Sequence, residues 1–310
     1  MQQKCPVCDA TILSTALYDY VKCSACNSYI YVSDHSAQDD NRNFYDSFYP
    51  RWKEYKTSRT KLKTLMFKRF EKADRKLNET KWAKFRQARK EIDSLFGKDK
   101  KLIEIGFGEG KRLLRFLKAG FDIYGIDISE SVVNHFREEY PKYKDRVKVG
   151  TTFNGKVDVV YCCALFEHLD NPQQFVDNLS GLLPQNGLVV LDALPIVAES
   201  PSNLTINEDI NFWKPCHRII CSQEALKRLF QQKGYRLLSY GVIDAFSHRV
   251  LSIHVRRGYD EIIKLRDSRL RHSGLPGIFK YYSICQDALR AKSLAVSGSF
   301  AFIRKQSIKD

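Results

Sequence analysis

KLIEIGFGEGKRLLRFLKAGFDIYGIDISE, residues 101–130, opens on the apolar run Leu102-Ile103-Glu104-Ile105, which has the length of a buried strand. Glycine then takes every second position, at Gly106, Gly108 and Gly110. Residues 111–119 carry apolar side chains at 113, 114, 116 and 117 and end at Gly120, the pattern of an amphipathic helix with a glycine stop. A second strand over 121–128 holds Asp127 near its end, 21 positions beyond the first glycine. Strand, glycine loop, helix and strand make a βαβ opening. Glycine lets the backbone turn sharply and approach a ligand without Cβ interference, and an acid at the end of the second strand can accept from both hydroxyls of a ribose. The loop is not the dinucleotide fingerprint, because G-x-G-x-x-G would need glycine where Lys111 stands. It reads instead as Glu-x-Gly-x-Gly-x-Gly, from Glu104 to Gly110. A βα turn that holds no ligand is the bland alternative.

Upstream of this unit, Cys5-Pro-Val-Cys8 and Cys23-Ser-Ala-Cys26 form two CxxC knuckles separated by 14 residues. Four thiolates on two tight turns can close a tetrahedron around Zn²⁺, and a closed Cys₄ site is structural rather than catalytic. Residues 17–22 and 29–32 read as short strands, which completes a zinc-ribbon layout. Some 35 residues cannot bury a core alone, so the metal would supply the folding energy. A polar linker follows over 33–40, then an aromatic stretch that includes Tyr45, Tyr49 and Trp52 and offers itself as a lid. Residues 53–96 read as one or two basic amphipathic helices, with Leu62, Leu65, Met66 and Phe70 on one buried face and Trp82, Phe85, Ala88 and Ile92 on another.

Charge is concentrated in the same region. The formal net charge is +15, and residues 41–100 alone hold 19 Lys plus Arg against 8 Asp plus Glu. That excess suits anionic partners such as nucleic acid, nucleotide-linked substrates or an acidic membrane face, with a solvated helical surface as the plain alternative. With 43% hydrophobic and 12% aromatic residues, 310 residues suffice for one large domain or a medium domain with an accessory. No apolar run approaches the ~18 residues of a membrane helix. The start, MQQKCPVC, has no apolar segment of a signal peptide, and nine cysteines then point to a reducing cytoplasm with metal ligands or free thiols.

Downstream, Ser129 caps a helix that Pro141 stops, and residues 146–149 read as a third strand. Residues 157–162 read as a fourth, with Cys163-Ala-Leu-Phe-Glu167-His168 at its mouth. Asn171-Pro172 opens a helix to about 183, and a Gln185-Asn186-Gly187 turn leads into a fifth strand over 188–194. Periodicity is lost over 195–220, which reads as an insertion over the site. Ser222 caps a helix over 223–233, and 235–243 is a sixth strand. For the last strand the sequence leaves two candidates: 250–255, or 299–304 after inserted helices at 259–270 and 281–292. Strands alternating with helices imply a doubly wound parallel sheet.

VDVVYCCALFEHLDNP and LSGLLPQNGLVVLDALP, together with IEIGFGEG and YGIDIS, resemble the Rossmann-like (class I) S-adenosylmethionine (SAM) methyltransferases over about 100 residues, in order and spacing. The later segment from His217-Arg-Ile-Ile-Cys-Ser222 to Gly234-Tyr235 is similar to the same branch. With the Cys₄ knuckles in front, the whole looks like bacterial methyltransferases of sugar and surface-polysaccharide pathways, some of which bear zinc. The resemblance implies that Glu104, Gly106, Phe107, Gly108, Gly110, Asp127, Ile128, Cys162 and Cys163 surround SAM. Gly106, Gly108 and Gly110 would face its backbone, Glu104 its amino end and Asp127 its ribose. Ile128 would flank the adenine, and Cys162 and Cys163 would line the methyl-facing mouth.

The sulfonium supplies electrophile and leaving group, so the protein mainly aligns the nucleophile. A hydroxyl acceptor still needs a base, and His168 and His217 fall on matching positions. Where a carbon methylator of that type would carry Glu-His, this chain has Cys216-His217, which favours oxygen.

The fold expected is therefore α/β: a Rossmann-like methyltransferase domain over 99–310, a zinc ribbon over 1–35 held by Cys5, Cys8, Cys23 and Cys26, and a basic helical connector over 36–98. The function expected is methyl transfer from SAM to a small acceptor, anionic or sugar-linked. An RNA methyltransferase with a zinc-ribbon recognition module is the runner-up, and a non-catalytic scaffold the third reading. Against RNA, the fourth-strand mouth has neither an Asn/Asp-Pro-Pro-Tyr motif nor a Cys-Pro pattern.

Overall fold

The computed structural model describes residues 3–12, 20–32, 61–199, 217–244, 249, 275–293 and 295–305. Four short strands begin the chain: β1 (Gln3–Lys4), β2 (Thr11–Ile12), β3 (Tyr20–Lys22) and β4 (Tyr29–Tyr31). Two helices follow, α1 (Lys61–Leu77) and α2 (Glu79–Ser94). The alternating part comprises β5 (Lys101–Ile105), α3 (Lys111–Lys118), β6 (Asp122–Asp127), α4 (Glu130–Glu139), β7 (Val147–Val149), β8 (Val159–Cys163), α5 (Pro172–Leu182) and β9 (Leu188–Val197). The chain closes with β10 (Ile219–Ile220), α6 (Gln223–Gln232), β11 (Tyr235–Ile243), α7 (Leu275–Arg290) and β12 (Ala295–Arg304).

Seven strands form the main sheet in the order β11-β12-β9-β8-β5-β6-β7. β5 pairs parallel with both β6 and β8, and β8 with β9, so strand order reverses direction on either side of β5. In doubly wound sheets ligands bind beyond the carboxyl ends of the strands at that reversal. Here the reversal puts the glycine loop after β5 next to the Cys162–His168 turn after β8.

The helix starts follow from their first residues. Ser129 Oγ accepts from the Val132 amide at 3.3 Å, Asn171 Oδ1 from the Gln174 amide at 2.9 Å, and Ser222 Oγ from the Ala225 amide at 3.1 Å. Helices cover both faces of the sheet. Leu113 and Leu117 of α3, Val133 and Phe136 of α4 and Ile92 of α2 pack with Leu102, Val159 and Val190 on one face. Val176 and Leu179 of α5 and Leu226, Leu229 and Phe230 of α6 pack with Ile103, Val160 and Leu191 on the other. Both faces of the central strands are thus buried, and their near-continuous Val/Ile/Leu runs are the composition such strands need.

The structure resolves the ambiguity at the chain's end in favour of the later strand. β12 runs antiparallel between β9 and β11, so the sheet is mostly, not wholly, parallel. Residues 250–255 and 259–270 lie outside those described, as do Tyr45, Tyr49, Trp52 and Cys216. Antiparallel pairing with β12 (Ala295↔Val197) also carries β9 three residues past its expected end, through Pro195. A bulge lies opposite Ser299, where Asp192 and Ala193 together face one residue of β12 and Ala193 has φ 53°; Pro195 follows it, level with Ser297 and past the last β9 residue that pairs with β8.

Among the described residues, the segment over 195–220 holds the end of β9 and β10, which pairs antiparallel with β4 and joins the N-terminal strands to the main body. One side-chain placement in the connector also differs from expectation. Met66 and Phe70 of α1 pack against Ile284 and Cys285 of α7, but Leu65 is 50% exposed. It sits at the edge of the stripe, and α7 covers only the part centred on residues 66–70. On α2, Ala88 and Ile92 are buried and Trp82 packs edge-on against Phe85. No helix among the described residues is long and apolar enough to cross a membrane.

Candidate active site

Gly106, Gly108 and Gly110 all adopt positive φ (69°, 51° and 62°), which an L side chain rarely adopts. The two outer ones do different work from the middle one. A Cβ at Gly110 would stand 2.4 Å from the Phe136 ring, and one at Gly106 2.8 Å from Leu165. A Cβ at Gly108 would meet nothing within 4 Å, so the loop presents bare backbone to open space there. This separates two substitutions. Gly110→Ala forces a ring to shift and is expected to destabilise the fold by at least ~2 kcal/mol, read as a fall in Tm. Gly108→Ala costs only its left-handed strain, ~1 kcal/mol, and places a methyl where a ligand would approach, so binding falls well before stability does.

Asp127 ends β6, 7% exposed. Its Oδ2 accepts from the Gly108 amide at 2.9 Å and its Oδ1 from the Ser129 amide at 3.0 Å. The carboxylate therefore ties the glycine loop to the start of α4. Glu104, on β5, is buried, and its Oε2 has no hydrogen-bond partner among the described residues. Burial pushes its carboxyl up to about 8, against the pull of Arg112, with Asp192 and Asp127 adding to the rise. An unpartnered carboxylate oxygen two residues before a bare glycine loop fits the ammonium of an amino-acid ligand. Phe107 points the other way, into the core against Phe136, and only its backbone belongs to the loop. Ile128 is half-buried beside Asp127.

β8 brings Cys162 level with Ile105, and Cys163 level with Asp192 of β9. Cys162 is buried and its thiol is held well above the usual range by that burial; Cys163, half-buried, is pushed up to about 12. Both are neutral thiols near pH 7 rather than nucleophiles. After them Ala164 takes φ 49° and its amide donates to the Asp192 carbonyl at 2.9 Å, so two alanines at positive φ, Ala164 and Ala193, mark the mouth.

His168 and His217 come together across 49 residues, with ring centroids 4.9 Å apart at 78°. The Arg218 amide donates to the Glu167 carbonyl at 2.7 Å, and Tyr20 Oη donates to the His217 carbonyl at 2.5 Å, which hold the two segments in place. Glu167 lies beneath, 1% exposed, its carboxyl pushed up to about 8 by burial.

A buried polar cluster on the same edge of the sheet has no counterpart in the motifs. Asp192 accepts from Tyr161 Oη at 2.6 Å and from Ser299 Oγ at 2.5 Å, and pairs with Arg112 Nη1 at 2.6 Å and with Arg89 of α2. Burial alone would raise this carboxyl, but Arg112 and Arg89 carry it down to about 2. The only sequence signal was the aspartate interrupting LVVLDALP; its partners come from four other elements. Through it α2 is keyed to the sheet beside Glu104.

The four thiols at the N-terminus also converge. Cys5 and Cys26 sulfurs are 3.7 Å apart, as are those of Cys8 and Cys23, and all four lie within 4.8 Å of one another. Tetrahedral ligands at the Zn–S distance of ~2.3 Å keep ~3.8 Å between sulfurs, so the set fits zinc. The knuckles are near copies. Asp9 (φ 59°) and Asn27 (φ 58°) return their amides to the Cys5 and Cys23 carbonyls at 2.9 and 2.8 Å. Asn and Asp are the residues that tolerate this left-handed position.

A mostly parallel sheet that reverses at β5, with bare glycine backbone and an amide-anchored aspartate at the reversal, is the arrangement that nucleotide-binding α/β domains use. The chain belongs to the methyltransferase-domain family: the family model "Methyltransferase domain" matches residues 78–240, more than half of the chain. Among curated proteins, the ubiquinone biosynthesis O-methyltransferase of Coxiella burnetii is 26% identical over 97 residues, 29% of this chain and 42% of that protein. The chain thus spans less than half the length of the curated relatives it matches. Among solved structures, a putative sarcosine dimethylglycine methyltransferase from Galdieria sulphuraria aligns at 15% identity and TM-score 0.49, over 71% of this chain and 86% of the other. A cyclopropane synthase of Mycobacterium tuberculosis aligns at 17% and 0.46, over 66% and 78%.

Proposed function

We propose that the chain transfers the methyl group of SAM to a hydroxyl of a small acceptor, a sugar or a nucleotide- or lipid-linked sugar. The observation that carries this reading is the open, bare backbone at Gly108 clamped to Asp127, with the unpartnered Glu104 Oε2 behind it. In this reading Asp127 receives the ribose hydroxyls, Ile128 flanks the adenine, and Glu104 receives the α-ammonium group. Cys162 and Cys163 lend an apolar wall beside the sulfonium. The acceptor oxygen attacks the methyl carbon, the C–S bond breaks, S-adenosylhomocysteine leaves, and the hydroxyl proton passes to the His168/His217 pair. Zinc on Cys5, Cys8, Cys23 and Cys26 is structural.

Two further observations support the acceptor class. The matched relative from Coxiella burnetii is named for O-methylation. A cavity of about 500 Å³ at the carboxyl ends of β9 and β11 is lined by Lys81, Lys84, Arg290 and Lys292 with Glu199, while Arg249 and Asp244 in its wall pair with each other, a cationic excess suited to a phosphate-bearing acceptor. The nucleic-acid alternative has the charge of residues 41–100 behind it and no described observation besides.

The test is transfer of labelled methyl from SAM to a panel of nucleotide-linked sugars, with total RNA in parallel. Label in a sugar product supports the reading; label in RNA alone overturns it. A pH dependence follows from Glu104. Its carboxyl is raised in the free protein to about 8, so at pH 6 it is protonated, and a bound ammonium group must displace that proton. Affinity for SAM is expected to rise by up to ~10-fold per unit between pH 6 and 7.5, below the range where the ligand's own α-amino group titrates. Glu104→Gln should flatten that slope. Because a raised carboxyl costs stability as pH climbs from its unfolded value towards 8, the same variant should equal or exceed wild type in Tm at pH 8.

A further inference from the structure

We propose that Glu167, His168 and His217 form a second metal site, for a divalent first-row transition ion. One ligand atom from each residue lies within 4.8 Å of the other two, and the set shares no residue with the four cysteines. Three ligands at ~2.1 Å from a tetrahedral ion keep ~3.4 Å between them, so modest side-chain rotations close this set on an ion. The carboxylate supplies the independent sign of a ligand. Glu167 is 1% exposed, its Oε2 has no hydrogen-bond partner among the described residues, and His168 Nε2 stands 3.9 Å from its Oε1. A buried acid left half-satisfied is a costly arrangement, and a bound cation removes the cost.

The ligands are also held. The Arg218 amide donates to the Glu167 carbonyl at 2.7 Å, the His168 amide to the Leu165 carbonyl at 2.9 Å, and Tyr20 Oη to the His217 carbonyl at 2.5 Å. Glu167 and His217 are thus fixed from other segments, and His168 within its own turn. Two imidazoles with one carboxylate suit Zn²⁺, Fe²⁺ or Co²⁺ rather than Mg²⁺, which prefers an all-oxygen shell. Three protein ligands leave a position open, the pattern of a site that takes water or an acceptor oxygen and acidifies it; with metal bound, the imidazoles would hold the ion and the acidified oxygen would lose its proton to solvent, in place of their role as base. That role rests on the methyl-transfer reading, whereas the site itself does not.

The experiment is a Co²⁺ titration of the full metal-free chain, with metal counted by elemental analysis. Wild type is expected to take two equivalents: one that develops thiolate-to-cobalt charge transfer, from the cysteines, and one that does not. Glu167→Gln and His217→Ala should each take one equivalent and keep the thiolate band. The glutamine variant is isosteric and neutral at a buried position, so it decides the matter if the histidine variant misfolds. A single equivalent in wild type, or two in Glu167→Gln, overturns the proposal. SAM calorimetry on the same samples separates the two readings: SAM binding with a single metal leaves methyl transfer standing without this site, and two metals without SAM binding do the reverse.

Discussion

Asp127→Ala is expected to lower affinity for SAM by two to four orders of magnitude while the protein stays folded. The wild-type carboxylate is anchored by the Gly108 and Ser129 amides at 2.9 and 3.0 Å, which orients it at the end of β6. A hydrogen bond to a charged acceptor contributes ~1.5–3 kcal/mol, and the two ribose hydroxyls assigned to Asp127 together contribute ~3–6 kcal/mol, or roughly 10²–10⁴ in affinity. Losing the Gly108 anchor loosens the loop as well and pushes the effect towards the upper figure. Asp127→Asn keeps one acceptor oxygen and should fall between the two. Calorimetry reads the affinity and thermal melting the fold. An alanine variant that melts normally and binds SAM within a few-fold of wild type would remove Asp127 from the ribose.

Cys23→Ser should have the largest effect on structure. Two Sγ···Sγ separations of 3.7 Å and matched left-handed turns at Asp9 and Asn27 describe a site shaped for one tetrahedral ion. Structural zinc of this kind supplies folding energy outright, ~10–16 kcal/mol in isolated finger peptides. The consequence reaches beyond the ribbon, because β4 pairs with β10, Ser222 Oγ donates to the Cys26 carbonyl at 2.6 Å, and the Ser222 amide donates to Ser28 Oγ at 3.1 Å. With the metal site broken, amide protection over residues 20–31 should fall by at least ~10³-fold, and the start of α6 should loosen with it. Hydrogen exchange reads both. Full protection in a zinc-free variant would mean that packing, not metal, holds the ribbon.

What was legible in the sequence was whatever is settled locally. Ser129, Asn171 and Ser222 cap helices because a side-chain oxygen one turn before an amide is a local arrangement, and alternate glycines force their loop for the same reason. The doubly wound sheet was legible too, from strands alternating with helices, while the strand at which its order reverses came from the pairing. What resisted was set by contacts between distant segments. Asp192 gave only an odd acid in an apolar strand, and nothing local tied it to Arg89, Arg112, Tyr161 and Ser299 from four other elements. β12 was ambiguous because its place between β9 and β11 is a pairing choice, and two apolar runs competed for it. Pro195 read as the end of a strand, yet β9 runs past it along β12, because beyond Asp192 it no longer pairs with β8. Glu167 looked like part of a motif turn, and its burial under the His168/His217 pair became visible only with β10 docked beside it.

The central claim, that the Gly106–Gly110 loop and Asp127 hold SAM, is tested most directly by calorimetric titration of the zinc-loaded chain with SAM and with S-adenosylhomocysteine. The account predicts one-to-one binding of both in the micromolar range, with Gly108→Ala weakening it while Tm falls by only a few degrees. A folded, zinc-loaded protein that gives neither binding heat nor a thermal shift with either ligand would contradict it.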